Sequence, residues 1–266
     1  MLPALSKLSP GFNCTNMIAQ QQAIDENTLV TDIVTKDYRT ADVFRKYDID
    51  FCCGGKWPLY IACESRGLDT KAVKKELEEA TRIIHISPSL PFQQWPLDFL
   101  ADYLVHVHHA FLKENMPVIK VQLEKFIAGH HKQYPFLKEV EEQFNRLYHS
   151  IIPHLQQEEE IIFPYIKRLT RAYANNESYA GLLVRTLRKP VEDVMQHEHE
   201  IVEKVIHRLR ELTGNYSPPN NACTSHRVTF SKLRELDNDL VQHVHLESNI
   251  LFPGAIQMEK ELVSRS

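Results

Sequence analysis

The chain has 266 residues, 43% hydrophobic and 25% charged, with a formal net charge of −4. This is ordinary globular composition, and the chain is long enough for a substantial core. The slightly acidic balance with no basic run argues against a nucleic-acid partner, no apolar stretch nears the ~18 residues of a membrane span, and residues 1–22 lack the apolar segment of a secretory signal.

In chain order, residues 1–28 read as a flexible N-terminal extension. Residues 29–87 form a small helical domain with patterns at 29–35, 40–47, 58–64 and 70–84, Thr70 serving as the last one's N-cap. Cys52-Cys53-Gly54-Gly55 interrupts the series as a turn. Pro88 and Pro91 oppose helix and mark a linker. Within residues 88–266 come four long helical patterns, roughly 96–131, 135–173, 185–213 and 223–262, with Gly214 to Asn221 breaking the last two apart. Strand-like alternation is nowhere convincing. The expected fold is all-α: a four-helix bundle preceded by a small helical domain. The five cysteines, Cys14, Cys52, Cys53, Cys63 and Cys223, are odd in number and irregularly spaced. That pattern favours a reducing compartment, hence the cytoplasm, over a disulfide framework.

One phrase occurs twice. His154-x-x-x-Glu158 is followed after four residues by Phe163-Pro164, and His243-x-x-x-Glu247 after four by Phe252-Pro253, 89 positions further on (243 − 154). On a helix, i and i+4 share a face, so each copy aims an imidazole and a carboxylate at one point. Periodicity sorts the other histidines. His154 and Glu158 share a stripe with Leu147, Ile151, Ile161 and Tyr165; His243 and Glu247 with Leu236, Leu240 and Ile250; His199 with Val191, Met195, Val202, Ile206 and Leu209. His197 and His245 keep polar company and are expected in solvent. In the first helix both His108 and His109 fall on apolar stripes, and periodicity does not choose between them.

A lone inward histidine is usually a hydrogen-bonded core residue, and the run Glu158-Glu159-Glu160 is ordinarily a solvated face. Here each of four helices offers an inward histidine and two add a glutamate. Burying that set without a cation is severely unfavourable. Four imidazoles and two carboxylates, each carboxylate able to bridge, suit a pair of first-row ions, best iron. No glutamate has a histidine three residues later, which disfavours ferritin-like sites. Glu198 falls on the stripe of Val191, Val194, Ile201 and Val205 and is a candidate to line an iron or proton path outside the ligands, the alternative being a surface carboxylate at the helix edge. Cys52 and Cys53 are adjacent, suited to redox work because a vicinal disulfide is strained, with Gly54-Gly55 supplying positive-φ freedom and Lys56 favouring thiolate. Cys63 reads as structural.

The segment Leu29–Glu79, with Phe44-Arg-Lys-Tyr-Asp-Ile-Asp-Phe-Cys-Cys-Gly-Gly-Lys56, resembles the N-terminal domain of the repair of iron centres (RIC) family of di-iron, iron–sulfur cluster repair proteins. The bundle resembles that family's hemerythrin-like domain through His109 (eight residues before Pro117), His154–Pro164, Met195–His199, Pro218–Thr224 and His243–Pro253. The resemblance covers about residues 29–257; the extension has no counterpart. It implies the ligands His109, His154, Glu158, His199, His243 and Glu247, choosing His109 over His108, around two iron ions in an oxo- and carboxylate-bridged centre. It also implies repair of clusters damaged by nitric oxide or oxidative stress, by iron donation or nitric oxide handling, with Cys52 and Cys53 in redox or iron-handling roles. The implied partners are damaged Fe–S proteins such as dehydratases, a reductant, and nitric oxide, oxygen or peroxide. The resemblance leaves room for nitric oxide reductase-type turnover and for a homodimer. The rival expectation is a hemerythrin-like O2/NO sensor or carrier without repair activity, which has no need of Cys52-Cys53.

Overall fold

The computed structural model describes residues 19–20, 23–52, 55–81, 83–84, 90–177, 180–187 and 191–265. Cys53, Gly54, residues 85–89 of the linker, residues 1–18, 21 and 22 of the extension, and the side chain of His197 lie outside the described residues. The chain divides into two compact units, 1–90 and 91–266.

In the first unit, helices α1 (Val30–Lys36), α2 (Thr40–Lys46), α3 (Leu59–Glu64) and α4 (Thr70–Ala80) enclose Val34, Phe44, Leu59, Cys63, Val73 and Leu77. Two details differ from the sequence pattern. Asp69, not Thr70, caps α4: its carboxylate accepts the Lys71 backbone N–H at 3.0 Å, and Thr70 is the first helical residue. The helix also stops at Ala80 rather than running to 84, and β2 (Ile83–Ile84) pairs antiparallel with β1 (Ala19–Gln20). Strands of two residues are too short to show alternation, so the pattern could not reveal them.

The second unit is a four-helix bundle. Helix α5 (Leu97–Tyr103) passes through a π-helical segment, Leu104–His109, into α6 (Ala110–His130). Likewise α7 (Leu137–Gln157) passes through Glu158–Ile162 into α8 (Phe163–Ala174). The pattern expected from 185 to 213 is two helices, α9 (Ala180–Leu187) and α10 (Val191–Thr213), with Pro190 in the sequence between them. The last rod is α11 (Thr224–Leu246), the π segment Glu247–Leu251, and α12 (Phe252–Arg265). Helix α10 lies along α7, α11 along α6, and α5 along α8.

Two of the three π segments, Glu158–Ile162 and Glu247–Leu251, follow from the Phe-Pro pairs. A proline has no N–H for the carbonyl four residues back, and its ring crowds that carbonyl. Widening the turn relieves the crowding: Phe163 N–H bonds Glu158 C=O and Phe252 N–H bonds Glu247 C=O, each five residues back. The widening shifts the register of everything that follows. Ile161, expected on the inward stripe, is 43% exposed, while Ile162 is 3% exposed. Leu251, not Ile250, takes the buried place in the second copy. We therefore expect Ile162→Ala to destabilise the bundle by about 2–5 kcal/mol and Ile161→Ala by roughly 0.5 kcal/mol or less. Urea unfolding of both variants checks this, and equal losses would contradict the shifted register.

The apolar interior falls into two clusters. One, around Leu112, Phe144, Leu155, Val202 and Leu240, fills the half formed by α6, α7, α10 and α11. The other, around Leu104, Ile162, Phe163, Leu246 and Leu251, fills the half toward α5, α8 and α12. His108, His109, His154, Glu158, His199, His243 and Glu247 are buried where these clusters meet, while the buried His226 packs apart from them against Phe126 and Phe230.

Candidate metal centre

Six of these side chains, from all four rods, converge in that layer. His109 ends the first π segment; Glu158 and Glu247 open the other two, one turn after His154 and His243; His199 comes from α10. His109, Glu158, His243 and Glu247 are fully buried, His154 is 1% exposed and His199 is 7% exposed. They make two overlapping groups, His109/His243 with both glutamates and His154/His199 with both glutamates, the donor atoms of each lying within 4.8 Å of one another. Each glutamate thus belongs to both groups. Glu158 places Oε1 3.2 Å from His154 Nε2 and Oε2 3.4 Å from His109 Nε2. Glu247 places Oε1 2.9 Å from His243 Nε2 and Oε2 3.2 Å from His199 Nε2.

The donor set fits a metal pair. Ligand atoms about 2.0–2.2 Å from one ion stand up to roughly 4.4 Å apart, the scale of each group here. His154 Nε2, His199 Nε2, both Glu158 oxygens and Glu247 Oε2 are buried and lack a hydrogen-bond partner within the protein. Atoms of this kind are costly unless something binds them. The electrostatics agree. Burial alone would lower the His154 imidazole, but the facing carboxylate of Glu158, with Glu247 and Glu198 behind it, raises it to about 9. Burial and the charge of Glu247 push Glu158 up. Burial also opposes ionisation of Glu247, yet the His243 charge and the imidazoles of His109, His199 and His243 around it hold it well below the usual carboxylate range. Without a metal, the layer draws its positive charge from protons on imidazoles.

The outward nitrogens are held as well. His109 Nδ1–H donates to Glu159 at 2.8 Å, and Lys113 anchors that carboxylate at 2.6 Å. His154 Nδ1–H donates to Glu198, and His199 Nδ1–H to Ser248 Oγ at 2.9 Å. Such partners fix the tautomer and orientation of an imidazole ligand. Sequence reasoning missed Glu159, which its place in a triple-glutamate run disguised as solvated face. Its partners, His109 and Lys113, lie on another rod, so the sequence around it carries no signal for them. His108 and His109 are both buried, because the π segment turns two successive residues inward; His109 enters the group and His108 does not. His245 is exposed. An open groove of about 820 Å³ between α10 and α11, lined by His199, Val202, Ile206, Val244, Ser248 and Phe252, leads to the outer side of His199.

Of the thiol pair, Cys52 is half-buried and its backbone N–H donates to Asp50 Oδ1 at 2.8 Å. Gly55 was expected to supply positive φ, but the described glycines with positive φ are Gly67 and Gly214. Its requirement is close approach instead: a Cβ there would stand 2.7 Å from the Phe51 carbonyl oxygen. Gly55 C=O in turn accepts the Thr31 N–H at 3.0 Å, tying the loop to the start of α1. Cys63 is fully buried, and burial pushes its thiol up, as suits a packing residue.

Two family models match the chain. Residues 26–81 match ScdA_N, described as a domain of unknown function (DUF542), and residues 100–255 match the hemerythrin HHE cation binding domain. The chain is 29% identical over 221 residues to a protein of Yersinia pestis (strain Pestoides F) described as iron-sulfur cluster repair protein YtfE, covering 83% of this chain and 93% of that one. A protein of the same description from Yersinia pseudotuberculosis (strain YPIII) matches to the same extent.

Proposed function

The chain belongs to the hemerythrin HHE cation-binding family and, with its ScdA_N domain, to the repair of iron centres group, and from this premise we propose that it is a di-iron protein that repairs damaged iron–sulfur clusters. The observation that carries the metal half of this reading is the sharing of Glu158 and Glu247 between two histidine pairs. The repair half is supported by the description of the Yersinia relatives as iron-sulfur cluster repair proteins and by the joining of that bundle to a thiol-bearing domain. Bound irons would supply reversible redox chemistry and an attachment point for nitric oxide, oxygen or peroxide.

The residues assign the remaining tasks. The two glutamates hold both metal positions at once, and Glu159, Glu198 and Ser248 keep the imidazoles aimed. The apolar clusters on either side exclude water, while the groove beside His199 admits a small ligand. With four neutral imidazoles and only two carboxylates, a diferrous site keeps net positive charge and holds iron less tightly than a four-carboxylate site, which suits iron donation. Cys52 and Cys53 handle iron or electrons at the partner, a damaged Fe–S protein such as a dehydratase. Trp57, 60% exposed, and Tyr60, 41% exposed, follow that loop and offer the apolar surface a protein partner covers. Among the described residues no helix is long and apolar enough to cross a membrane.

The test is reactivation of a nitric oxide-damaged [4Fe–4S] dehydratase by the iron-loaded protein under reducing conditions. Wild type is expected to restore activity, and Cys52→Ala/Cys53→Ala to lose much of that capacity while keeping its iron, because no ligand comes from the first unit. Restoration unchanged in the double variant would contradict the thiol role. No restoration by iron-loaded wild type, with gas binding intact, would favour a sensor or carrier instead.

A further inference from the structure

Three of the four inward imidazoles have an outer partner, and the fourth points to one. With Nε2 of His243 turned to Glu247 at 2.9 Å, its Nδ1 must carry the hydrogen when Nε2 binds metal. That Nδ1 is buried and has no partner among the described residues. One turn earlier on the same face of α11 stands Asp239. Its Oδ1 accepts the His108 Nδ1–H at 2.9 Å, while its Oδ2 is buried and, like His108 Nε2, unpartnered. The His108 ring is 1% exposed and lies nearly parallel to that of His243, 13° between planes and 5.9 Å between centroids.

Three orphaned polar atoms lie on three neighbouring side chains, and buried polar groups of this kind are satisfied by ordered water where protein does not reach them. Resting on the two-metal reading above, we propose that Asp239 is the positioning residue for His243. Its Oδ2 accepts, through an ordered water, from His243 Nδ1–H, and His108 braces the carboxylate from the other side. Asp239 then does for His243 what Glu159 does for His109 and Glu198 for His154. The histidine that sequence periodicity could not separate from His109 thereby gains a role next to the centre.

His243 belongs to one metal position only, so the consequence is asymmetric. In Asp239→Ala loaded with iron anaerobically, one of two iron equivalents should pass to a chelator roughly 10–100-fold faster than in wild type, the scale of losing such a partner. The other equivalent should leave at the wild-type rate. Asp239→Asn, which keeps the shape but not the charge, should show the same selective loss at smaller amplitude, and carries the test if the alanine variant does not fold. Release unchanged for both equivalents, or both accelerated alike with a lowered Tm, overturns the proposal. Wild type that takes up only one iron per chain would instead contradict the two-metal reading beneath it.

Discussion

Glu158→Ala and Glu247→Ala are each expected to lose most of the iron at both positions, whereas His245→Ala keeps full occupancy. The expectation follows from the overlap: each glutamate stands in both four-residue groups, so removing one strips a ligand from two metals. Losing a histidine costs one position a single neutral donor. Losing a glutamate also removes half of the negative charge that offsets the cations in a buried layer. The remaining carboxylate and four imidazoles hold a second cation poorly against its neighbour. Iron per chain after anaerobic loading, with far-UV circular dichroism to confirm the fold, measures the effect. A glutamate variant that retains two irons would contradict the bridging arrangement. His245 is a fair control because it is exposed and its ring pairs with Asn249.

Removal of the metal should destabilise the bundle strongly, and by an amount that grows with pH. A ligand present at a thousandfold its dissociation constant contributes about 4 kcal/mol, and for a unit of this size each kcal/mol is worth roughly 2–4 °C, so a Tm loss on the order of 10 °C is expected. In the metal-free protein His154 has its pKa raised to about 9 from 6.5 by its glutamates, against the opposing effect of burial. The folded state therefore binds that proton more tightly than the unfolded chain does. The stability it contributes is fully present below pH 6.5 and is lost as pH rises through about 9. Iron must displace the same proton, so its affinity rises over that interval. Melting curves with and without iron should diverge from pH 6.5 to 9. A constant gap would mean that His154 holds no proton in the metal-free site.

Much of this was legible in the chain itself. The duplicated His-x-x-x-Glu phrase named four of the six converging residues, since a four-residue spacing puts both side chains on one helical face. His199 followed from its company with Val202, Ile206 and Leu209, which are all buried. For Glu198 periodicity left an inward place and a surface place at the helix edge open, and the structure sets it against His154. What periodicity could not deliver stems from one assumption, a uniform 3.6-residue repeat. Three π segments break it at His109, Glu158 and Glu247, which is why Ile161 was expected inside in place of Ile162 and why His108 and His109 looked equivalent. For two of the three the signal was present in Phe163-Pro164 and Phe252-Pro253, whose prolines favour a widened turn just upstream, whereas Leu104–His109 has no such pair. Partners across rods, Glu159 for His109 and Asp239 for His108, depend on tertiary packing and leave no local trace.

The central claim is that this layer holds two irons bridged by Glu158 and Glu247. Anaerobic titration of metal-free protein with ferrous iron, followed to its breakpoint and then oxidised, tests it most directly. The account predicts saturation at two equivalents per chain and, on oxidation, an oxo-bridge charge-transfer band. A breakpoint at one equivalent or below, or an oxidised spectrum without that band, would contradict it.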